Sequence, residues 1–279
     1  MKPEDSEWIA DLCSRLIGLK VDPEKTYLID SRLSVVARRE SFQSVEDLIT
    51  SVRNDSDDRM AWALVEAMAA GESSFFRDRK PFACFRDEIL PAMCQARGNR
   101  PIRVWSAGCG AGQEIYSLAM IVNDGLADRP PETQIQLFGS DLSNRAMEKA
   151  QSGIYTHFEV QRGLPIRSLV RHFQRAEDMW VLNAPIRQMV RWRQLNLISD
   201  QTAAGGFDII FCRNVLCNMT DAARQKTLEG LAHALSPDGF LFLGEGESTR
   251  ALEGAFNAVA DRPGLYARNQ AFRPAVQAA

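Results

Sequence analysis

The stretch VWSAGCGAGQE (104–114) spaces three glycines two residues apart behind an apolar run. Gly108, Gly110 and Gly112 have no side chains, so the main chain there can turn tightly and a ligand can lie directly against it. Such a turn between a strand and a helix is typical of nucleotide-like ligands, which approach the amino end of the helix. The spacing alone does not distinguish among these ligands.

Two carboxylates follow the glycines at positions that fit ligand contacts. Asp141 ends the next apolar segment, QIQLFGSD, where an ionised carboxylate can accept hydrogen bonds from both hydroxyls of a ribose. The alternative is that Asp141 only caps the helix that follows it. Glu114 stands in the first turn of the preceding helix, where it could meet the cationic end of a ligand or simply face solvent, because the helix dipole favours an acid there.

The GxGxG spacing favours S-adenosylmethionine over a dinucleotide. A dinucleotide presents a pyrophosphate, and its fingerprint is GxGxxG, whose third glycine is missing from that position here. S-adenosylmethionine carries an adenosine and a charged methionine tail but no phosphate. Many methyltransferases also carry an acid near the end of the first strand, where this chain has Trp105, Ser106 and Ala107. The motif alone therefore leaves the class open.

The elements that must position these residues alternate between strands and helices from Ile102 onwards. The segments are, in order, IRVWSA, IYSLAMIVNDGL, QIQLFGSD, NRAMEKAQSG, FDIIFCRN, a helix to about Leu235 and GFLFLGE. This alternation predicts a parallel sheet with helices on both faces and a ligand site at the carboxyl ends of its strands. Between Ser152 and Arg193 the alternation lapses, and WVLNAPIRQMVRWRQL predicts short strands in an inserted subdomain.

The amino-terminal part of the chain has helical patterning instead. EWIADLCSRLIGLKV repeats apolar residues at three- and four-residue steps, and further helices are expected at about Lys25–Arg39, Ser44–Val52 and Asp57–Ala70. Arg32, Arg38 and Arg39 fall near one side of the second of these helices. A small helical region therefore precedes the alternating one.

Composition limits the function classes. The chain has 279 residues, of which 45% are hydrophobic, and a formal net charge of -3, which argues against a general nucleic-acid-binding surface. Six cysteines without a CxxC pair indicate neither a disulfide framework nor a zinc site, so no metal is expected. No apolar run approaches the roughly 18 residues of a membrane span, and the acidic start is unlike a secretory signal. We therefore expect a cytoplasmic protein without stable membrane insertion.

Further stretches carry a specific resemblance. GESSFFRDRKPF (71–82), RQLNL (193–197) and FDIIFCRNVL (207–216) surround the glycine turn and are followed by LSPDGFLFLGEGES (235–248). Together they resemble the chemotaxis receptor glutamate O-methyltransferase family, CheR, from about residue 5 to residue 268. The combination of SFFRD and FCRNVL is far more specific than the glycines. A nicotinamide-dependent oxidoreductase would leave both motifs unexplained, and a nucleic-acid methyltransferase would favour a basic groove.

The resemblance implies an α/β fold: a Rossmann-like S-adenosylmethionine-dependent methyltransferase domain with a small inserted antiparallel β-subdomain, preceded by a small all-α domain. The implied boundaries are a receptor-contact domain at 1–70, a linker and helix at 71–100, a methyltransferase domain at 101–270 with its insertion at about 153–193, and a flexible tail at 271–279. The implied reaction is methyl esterification of glutamates on the cytoplasmic helices of methyl-accepting chemoreceptors, with S-adenosylhomocysteine as product. A glutamate is already ionised at neutral pH, so no general base is needed.

Matching positions imply the site residues. Besides the three glycines, those implied to hold the cofactor are Ser73, Arg77, Glu114, Asp141, Asn196, Leu197, Arg213 and Asn214, with Asn196 and Leu197 beside the adenine. Arg77 is also the candidate to orient a carboxylate during catalysis. Arg32, Arg38 and Arg39 are implied receptor contacts, with a plain solvated helix face as the alternative.

Three departures from the family pattern qualify these expectations. Where family members usually read NVLIYF this chain reads NVLCNM, so Asn218 replaces a tyrosine thought to face the transferred methyl. Asn218 is the second catalytic candidate beside Arg77, since it could still donate a hydrogen bond although it has no ring face. Gly71 stands where asparagine is frequent. A cofactor-binding signalling module with weak or no catalysis is therefore the alternative function. RAEDMWVL (175–182) is shorter than the glycine-bearing hairpin loop of members that dock on a receptor's carboxyl-terminal peptide, so we expect no tether-peptide binding.

Overall fold

The structure is a computed structural model that describes residues 1–54, 58–125, 133–199 and 205–272. The α-helices are α1 (Pro3–Ile17), α2 (Thr26–Arg39), α3 (Val45–Asn54), α4 (Asp58–Ala69), α5 (Lys80–Cys84), α6 (Leu90–Arg97), α7 (Gln113–Asp124), α8 (Asn144–Ser152), α9 (His157–Gln161), α10 (Ile166–His172), α11 (Ala184–Gln188) and α12 (Asp221–Ala234). The strands are β1 (Ile102–Ala107), β2 (Ile135–Asp141), β3 (Ile154–Thr156), β4 (Phe173–Ala176), β5 (Met179–Leu182), β6 (Val190–Gln194), β7 (Phe207–Cys212), β8 (Leu235–Leu243), β9 (Phe256–Ala258) and β10 (Leu265–Arg268). A π-helical turn, Phe85–Ile89, continues α5 into α6, and a 3₁₀ turn spans Leu216–Asn218.

The chain divides into two compact units. The first unit comprises Met1–Gly71 and Asn218–Lys226, and the second comprises Glu72–Cys217 and Thr227–Ala279. Residues 273–279 of the tail predicted from the sequence lie outside the described residues.

The first unit is built from α1 to α4, each of which buries one apolar stripe. Ile9 of α1, Leu33 of α2 and Leu64 of α4 are fully buried, as the helical spacing of apolar residues requires. The short segment 218–226 joins this unit by a backbone ladder, in which the Lys20 N–H donates to the Asn218 carbonyl at 2.8 Å. The helical pattern of the amino-terminal residues did not predict this addition from a distant part of the chain.

The second unit contains a seven-stranded sheet in the order β6-β2-β1-β7-β8-β10-β9. The strands β6, β2, β1, β7 and β8 run parallel, whereas β10 and β9 pair antiparallel at one side. Every residue of β7, FDIIFC, is buried, which is typical of a strand covered on both faces. The carboxyl ends of the five parallel strands therefore meet along one edge of the sheet, and we call this the carboxyl edge.

The insertion forms a three-stranded antiparallel sheet in the order β3-β5-β4. Ala176 pairs with Met179, so only Glu177 and Asp178 connect β4 to β5, and Glu177 adopts a left-handed φ of 54°. The α/β fold class, the antiparallel insertion and the preceding helices are thus confirmed. Among the described residues, no helix is both long and apolar enough to cross a bilayer.

The expectation that VRWRQ belongs to the insertion was wrong. These residues form β6, which pairs in parallel with β2 at the edge of the main sheet, Val190 opposite Leu137. Gly139 of β2 explains the fit, since a Cβ added there would lie 2.6 Å from the Trp192 ring. The alternation of arginines with apolar residues is typical of an edge strand, but it does not indicate which sheet the strand completes.

Candidate cofactor site at the carboxyl edge of the sheet

The glycine turn links β1 to α7 at the carboxyl edge. Gly108, Gly110 and Gly112 all have left-handed backbones, with φ of 74°, 55° and 89°. A Cβ on Gly108 would lie 2.7 Å from a Val215 methyl, and a Cβ on Gly112 would lie 2.9 Å from the Ala150 Cβ. The bare backbone is therefore required by the turn conformation and by packing inside the unit, as well as for approach of a ligand.

The amides of this turn are bonded within the chain. The N–H groups of Gly108 and Cys109 both donate to the Ser140 carbonyl at 2.9 Å, and the Gly112 N–H donates to the Cys109 carbonyl at 3.0 Å. The Gly110 N–H donates to Asp141 Oδ2 at 2.8 Å. A pyrophosphate site needs such amides to point at the phosphate oxygens. The turn is consequently better suited to a ligand that has no phosphate.

Asp141 closes β2 and faces the glycine turn. Its Oδ1 accepts the Ser143 N–H at 3.0 Å, while its Oδ2 holds the Gly110 amide. The N-cap of α8 is Ser143, whose hydroxyl accepts the Ala146 N–H at 3.1 Å, so Asp141 is not itself the helix cap. Burial raises the pKa of the Asp141 carboxyl, although the backbone hydrogen bonds oppose this shift. A carboxylate so placed can take further hydrogen bonds from hydroxyl groups.

A buried guanidinium lies at the carboxyl end of β7. The Arg213 side chain is 1% exposed, and its Nη atoms donate to Glu114 Oε2 at 3.0 Å and to Asp78 Oδ2 at 2.6 Å. It also donates to the Arg77 carbonyl at 3.0 Å and lies over the Phe82 ring. One side chain therefore ties the SFFRD segment, the start of α7 and the end of β7 together.

Glu114 is the carboxylate partner of this arginine. Its Oε1 accepts the Ser106 hydroxyl at 2.8 Å. Burial raises the pKa of Glu114, and Arg213 and Ser106 oppose the shift. Of the two alternatives open from the sequence, plain solvent exposure does not describe this residue, whose side chain is only 14% exposed.

The SFFRD segment has an unusual backbone. Phe76, Asp78 and Arg79 have positive φ values of 47°, 64° and 39°. Residues other than glycine adopt such values at a cost, and they concentrate at functional sites. The hydrogen bonds to Arg213 help to hold Asp78 in this conformation.

The other implied cofactor residues of the second unit are placed as follows. Ser73 lies beside the glycine turn, because a Cβ added at Gly110 would be 3.6 Å from the Ser73 Cβ. The Arg77 guanidinium donates to the Glu72 carbonyl at 3.2 Å. Asn196 follows β6, where its Oδ1 accepts the Ile198 N–H at 3.2 Å, and Leu197 is buried beside it. Asn214 follows β7 with a left-handed φ of 60°. The carboxyl ends of β1, β2, β6 and β7 thus bring most of the implied set to one edge.

The remaining implied residues belong to the first unit. Asn218 lies in the segment that joins α1 there, and Arg32 donates to the Met68 carbonyl. Arg38 and Arg39 are exposed at the end of α2, with donor contacts to the Ser34 carbonyl at 3.2 Å and to Glu40 at 2.8 Å. Arg32 therefore has a carbonyl partner inside its own unit, whereas the other two arginines face outward.

Sequence reasoning missed two polar residues that organise the edge. Glu247 is buried and accepts backbone amides from two turns, and Asp78 pairs with Arg213. Asp78 is part of the SFFRD motif and could have been singled out on that ground. Glu247 carries no such signal, because it stands in GEGES beside Glu245, which is exposed.

The edge has the chemical character that S-adenosylmethionine requires. Asp141 is placed where it could accept hydrogen bonds from a ribose, and the acids Glu114 and Asp141 suit a ligand that carries a sulfonium and an ammonium. Two buried atoms near this edge, Gln113 Oε1 and Arg213 Nε, have no hydrogen-bond partner among the described residues. Within the described ranges, no group of three or more His, Cys, Asp or Glu side chains is placed to hold a metal ion.

These features define an S-adenosylmethionine-dependent methyltransferase of the α/β class. The family model described as CheR methyltransferase, SAM binding domain, matches residues 71–264, and the chain belongs to this family. It is 30% identical to chemotaxis protein methyltransferase 1 of Pseudomonas aeruginosa over 95% of this chain and 97% of that one. It is also 34% identical to chemotaxis protein methyltransferase 1 of Vibrio cholerae, over 89% and 90%, and 33% identical to the chemotaxis protein methyltransferase of Vibrio parahaemolyticus, over the same shares.

The family membership confirms the resemblance read from SFFRD and FCRNVL. The protein is a methyltransferase enzyme of chemotaxis, and its cofactor is S-adenosylmethionine, not a dinucleotide. The roles of the individual site residues, the boundaries implied for the domains and the identity of the acceptor remain predictions.

Proposed function

We propose that this enzyme esterifies glutamate side chains on the cytoplasmic helices of chemoreceptors. The observation that carries the proposal is that the described residues of the carboxyl edge include no histidine and that burial raises the pKa of the thiols there. A carboxylate acceptor is ionised at neutral pH and needs no base, whereas an amine or a hydroxyl acceptor must lose a proton.

The histidines support this argument. The chain has three. His157 and His172 lie in the insertion, where His157 contacts Trp180 and His172 contacts Asp124 at the end of α7. His233 lies in the last turn of α12, just before the amino end of β8. None of the three stands at the carboxyl edge.

The thiols near the edge support it as well. Burial raises the pKa of Cys109 and of Cys212 well above the ordinary value, and burial together with Glu247 raises the pKa of Cys217. Thiols held protonated in this way are poor bases and poor nucleophiles at neutral pH. These observations favour an acceptor that arrives already ionised.

The residues of the chain then have positioning tasks. When bound, S-adenosylmethionine supplies an electrophilic methyl carbon on a sulfonium. Asp141 would hold the ribose, and the Arg213 and Glu114 pair would keep the ends of β7 and β1 at a fixed separation. The rate enhancement would then come from alignment of the carboxylate oxygen with the methyl carbon and sulfur, and from removal of water from the attacking carboxylate.

Arg77 is the residue proposed to orient the acceptor carboxylate. Its partner, the Glu72 carbonyl at 3.2 Å, is neutral, and a carboxylate could replace it with two charge-assisted hydrogen bonds. We expect Arg77→Ala to lower turnover at least tenfold, with Arg100→Ala, at an exposed arginine of the same unit before β1, as the matched control. Full turnover and cofactor affinity in Arg77→Ala would contradict the assignment.

The receptor surface is proposed to include Arg38 and Arg39, which face outward on α2 and could steer an acidic helix bundle. We also propose that the two-residue turn at Glu177 and Asp178 offers no site for a tether peptide. A clear calorimetric signal with a receptor carboxyl-terminal peptide would overturn this second point.

The proposed reaction is tested with radiolabelled S-adenosylmethionine and receptor cytoplasmic fragments. Base-labile label that disappears when the receptor glutamates are changed to glutamine is the expected result. Base-stable label, or label on fragments that lack those glutamates, would refute the proposed acceptor.

A further inference from the structure

Glu247 joins two turns at the carboxyl edge. It lies in the GEGES turn after β8 and is 8% exposed. Its Oε2 accepts the N–H groups of Gly244 at 2.7 Å and Asn214 at 2.8 Å, and its Oε1 accepts the Cys217 N–H at 2.9 Å. One carboxylate thereby fixes three backbone amides from two turns that are far apart in the sequence.

The backbone around Glu247 is adapted to this contact. Asn214 has the left-handed φ of 60°, a conformation that asparagine tolerates better than most residues. A Cβ on Gly244 would lie 2.8 Å from the Asn214 amide nitrogen, from Asn214 Nδ2 and from Glu247 Oε2. Glycine at 244 therefore makes room for the close approach of the two turns.

A buried carboxylate needs compensation, and here backbone amides provide it. Charge-assisted hydrogen bonds are stronger than neutral ones, and three of them fix a carboxylate in one orientation. The strands that carry the two turns are neighbours, since Cys212 of β7 pairs with Leu243 of β8. Glu247 continues that pairing beyond the ends of the strands, where the ladder hydrogen bonds stop.

We propose that Glu247 is a positioning residue for methyl transfer. It holds the turn 214–217 in place, and that turn follows Arg213 directly and begins with Asn214, an implied cofactor contact. Glu247 acts through this turn and does not itself touch the cofactor. The inference rests on the cofactor site and not on the identity of the acceptor.

Glu247→Gln tests the proposal with little change in shape. The amide has one oxygen, so its NH₂ group must face at least one backbone N–H, and one of the three hydrogen bonds is lost. We expect cofactor affinity to fall about tenfold, measured by calorimetry with S-adenosylhomocysteine. Glu245→Gln is the matched control, since it removes the same charge from an exposed position two residues away, and its affinity should stay within about twofold of wild type.

A second variant separates positioning from general instability. Gly244→Ala places a methyl group against the Asn214 amide and Glu247 Oε2 without removing the carboxylate, so it should disturb the same contact and reproduce the loss of affinity. A folded Glu247→Gln protein that binds the cofactor as tightly as Glu245→Gln would overturn the proposal. Binding is measured without any receptor, so a wrong acceptor would leave this result unaffected.

If the variants do not fold, hydrogen exchange of the wild-type protein tests the positioning role of Glu247 instead. The amides of Asn214, Cys217 and Gly244 should exchange slowly, and saturation with S-adenosylhomocysteine should slow them further. A purely structural carboxylate would leave their exchange unchanged on cofactor binding. Unchanged exchange at all three amides would therefore refute the positioning role.

Discussion

Two arginines of the second unit are each held by two carboxylates. One lies at the amino ends of the parallel strands, which we call the amino edge, and the other lies at the carboxyl edge. Arg97, at the end of α6, binds Asp208 at the start of β7 and Asp238 of β8. Arg213, at the carboxyl end of β7, binds Asp78 and Glu114. The composition of the two clusters is nearly the same, but the pKa of Asp238 in the first is lowered whereas the pKa of Glu114 in the second is raised.

At the amino edge the charged forms are favoured. Arg97 makes a bidentate contact with Asp238, both distances being 2.6 Å, and Asp208 also accepts the Arg103 N–H at 2.8 Å. The hydrogen bond from Arg97 lowers the pKa of Asp238, and that from Asp238 raises the pKa of Arg97. These shifts favour the ionised, paired forms of Arg97 and Asp238 in the folded protein.

At the carboxyl edge the ionised forms of Glu114 and Asp141 are disfavoured. Burial raises the pKa of Glu114 in spite of Arg213, and burial raises the pKa of Asp141 in spite of its backbone hydrogen bonds. Carboxylates ionised at a cost to the fold are characteristic of sites that serve a ligand. From this comparison we predict that the amino edge serves stability and the carboxyl edge serves binding.

Arg213→Ala should have the largest effect. It leaves the Glu114 carboxylate buried without its cation, which costs about 3–5 kcal/mol of unfolding free energy. Cofactor affinity should fall more than a hundredfold, because the ends of β1 and β7 lose their common anchor. Chemical denaturation and calorimetry measure the two quantities. Wild-type affinity in a folded variant would remove the basis for assigning binding to this edge.

Arg97→Ala should reduce stability alone. Asp208 would lose its buried partner, at a cost of about 3 kcal/mol by the same reasoning. Cofactor affinity should stay within about twofold of wild type, because the amino edge lies at the opposite end of the strands. A fall in affinity measured on the folded variant would show that the two edges are not functionally separate.

Asp141→Asn should reduce affinity with little effect on stability. The variant keeps the shape of the side chain but removes the charge, so cofactor affinity should fall about tenfold. The net effect on stability should be small, because removal of a charge that burial disfavours offsets the one backbone hydrogen bond that the amide NH₂ group cannot accept from Gly110 or Ser143. The opposite pattern, lost stability with unchanged affinity, would assign Asp141 a purely structural role.

Mild acid should have the smallest effect. A carboxyl with a raised folded pKa destabilises the fold at neutral pH, and this cost disappears as the pH falls through the folded pKa. Protonation also removes the proposed acceptor for the ribose, so affinity should fall as the pH is lowered from neutrality towards the folded pKa of Asp141, while the cost of Asp141 to stability shrinks. Asp238, whose pKa is lowered, should lose its contribution only at lower pH.

Calorimetry across this pH range checks the prediction, and Asp141→Asn is its control. The variant should show a flatter dependence of affinity on pH than the wild type does. If affinity depends equally on pH in the two proteins, a group other than Asp141 causes the pH dependence.

Much of the second unit could be predicted from local pattern. FDIIFC is apolar throughout and became an interior strand, and the glycine turn followed IRVWSA as the spacing predicted. The signals were strong there because burial on both faces, or a left-handed turn, restricts the residue types directly. The strands β9 and β10 and the π-helical turn carried no comparable signal and were not predicted.

Features that depend on distant partners escaped the sequence. VRWRQ was recognised as a strand but was assigned to the wrong sheet, because a parallel neighbour is set by contacts far away along the chain. Glu245 and Glu247 are chemically identical in the sequence, and only the approach of the turn after β7 buries one of them. The pairing of Arg213 with Asp78 and Glu114 depends in the same way on the assembled edge.

The internal hydrogen bonds of the glycine turn also bear on how the cofactor is exchanged. Four of its amides have acceptors within the chain, so none of these donors depends on the cofactor for a hydrogen bond. We therefore expect the turn to keep one backbone conformation when S-adenosylhomocysteine leaves and the next S-adenosylmethionine enters.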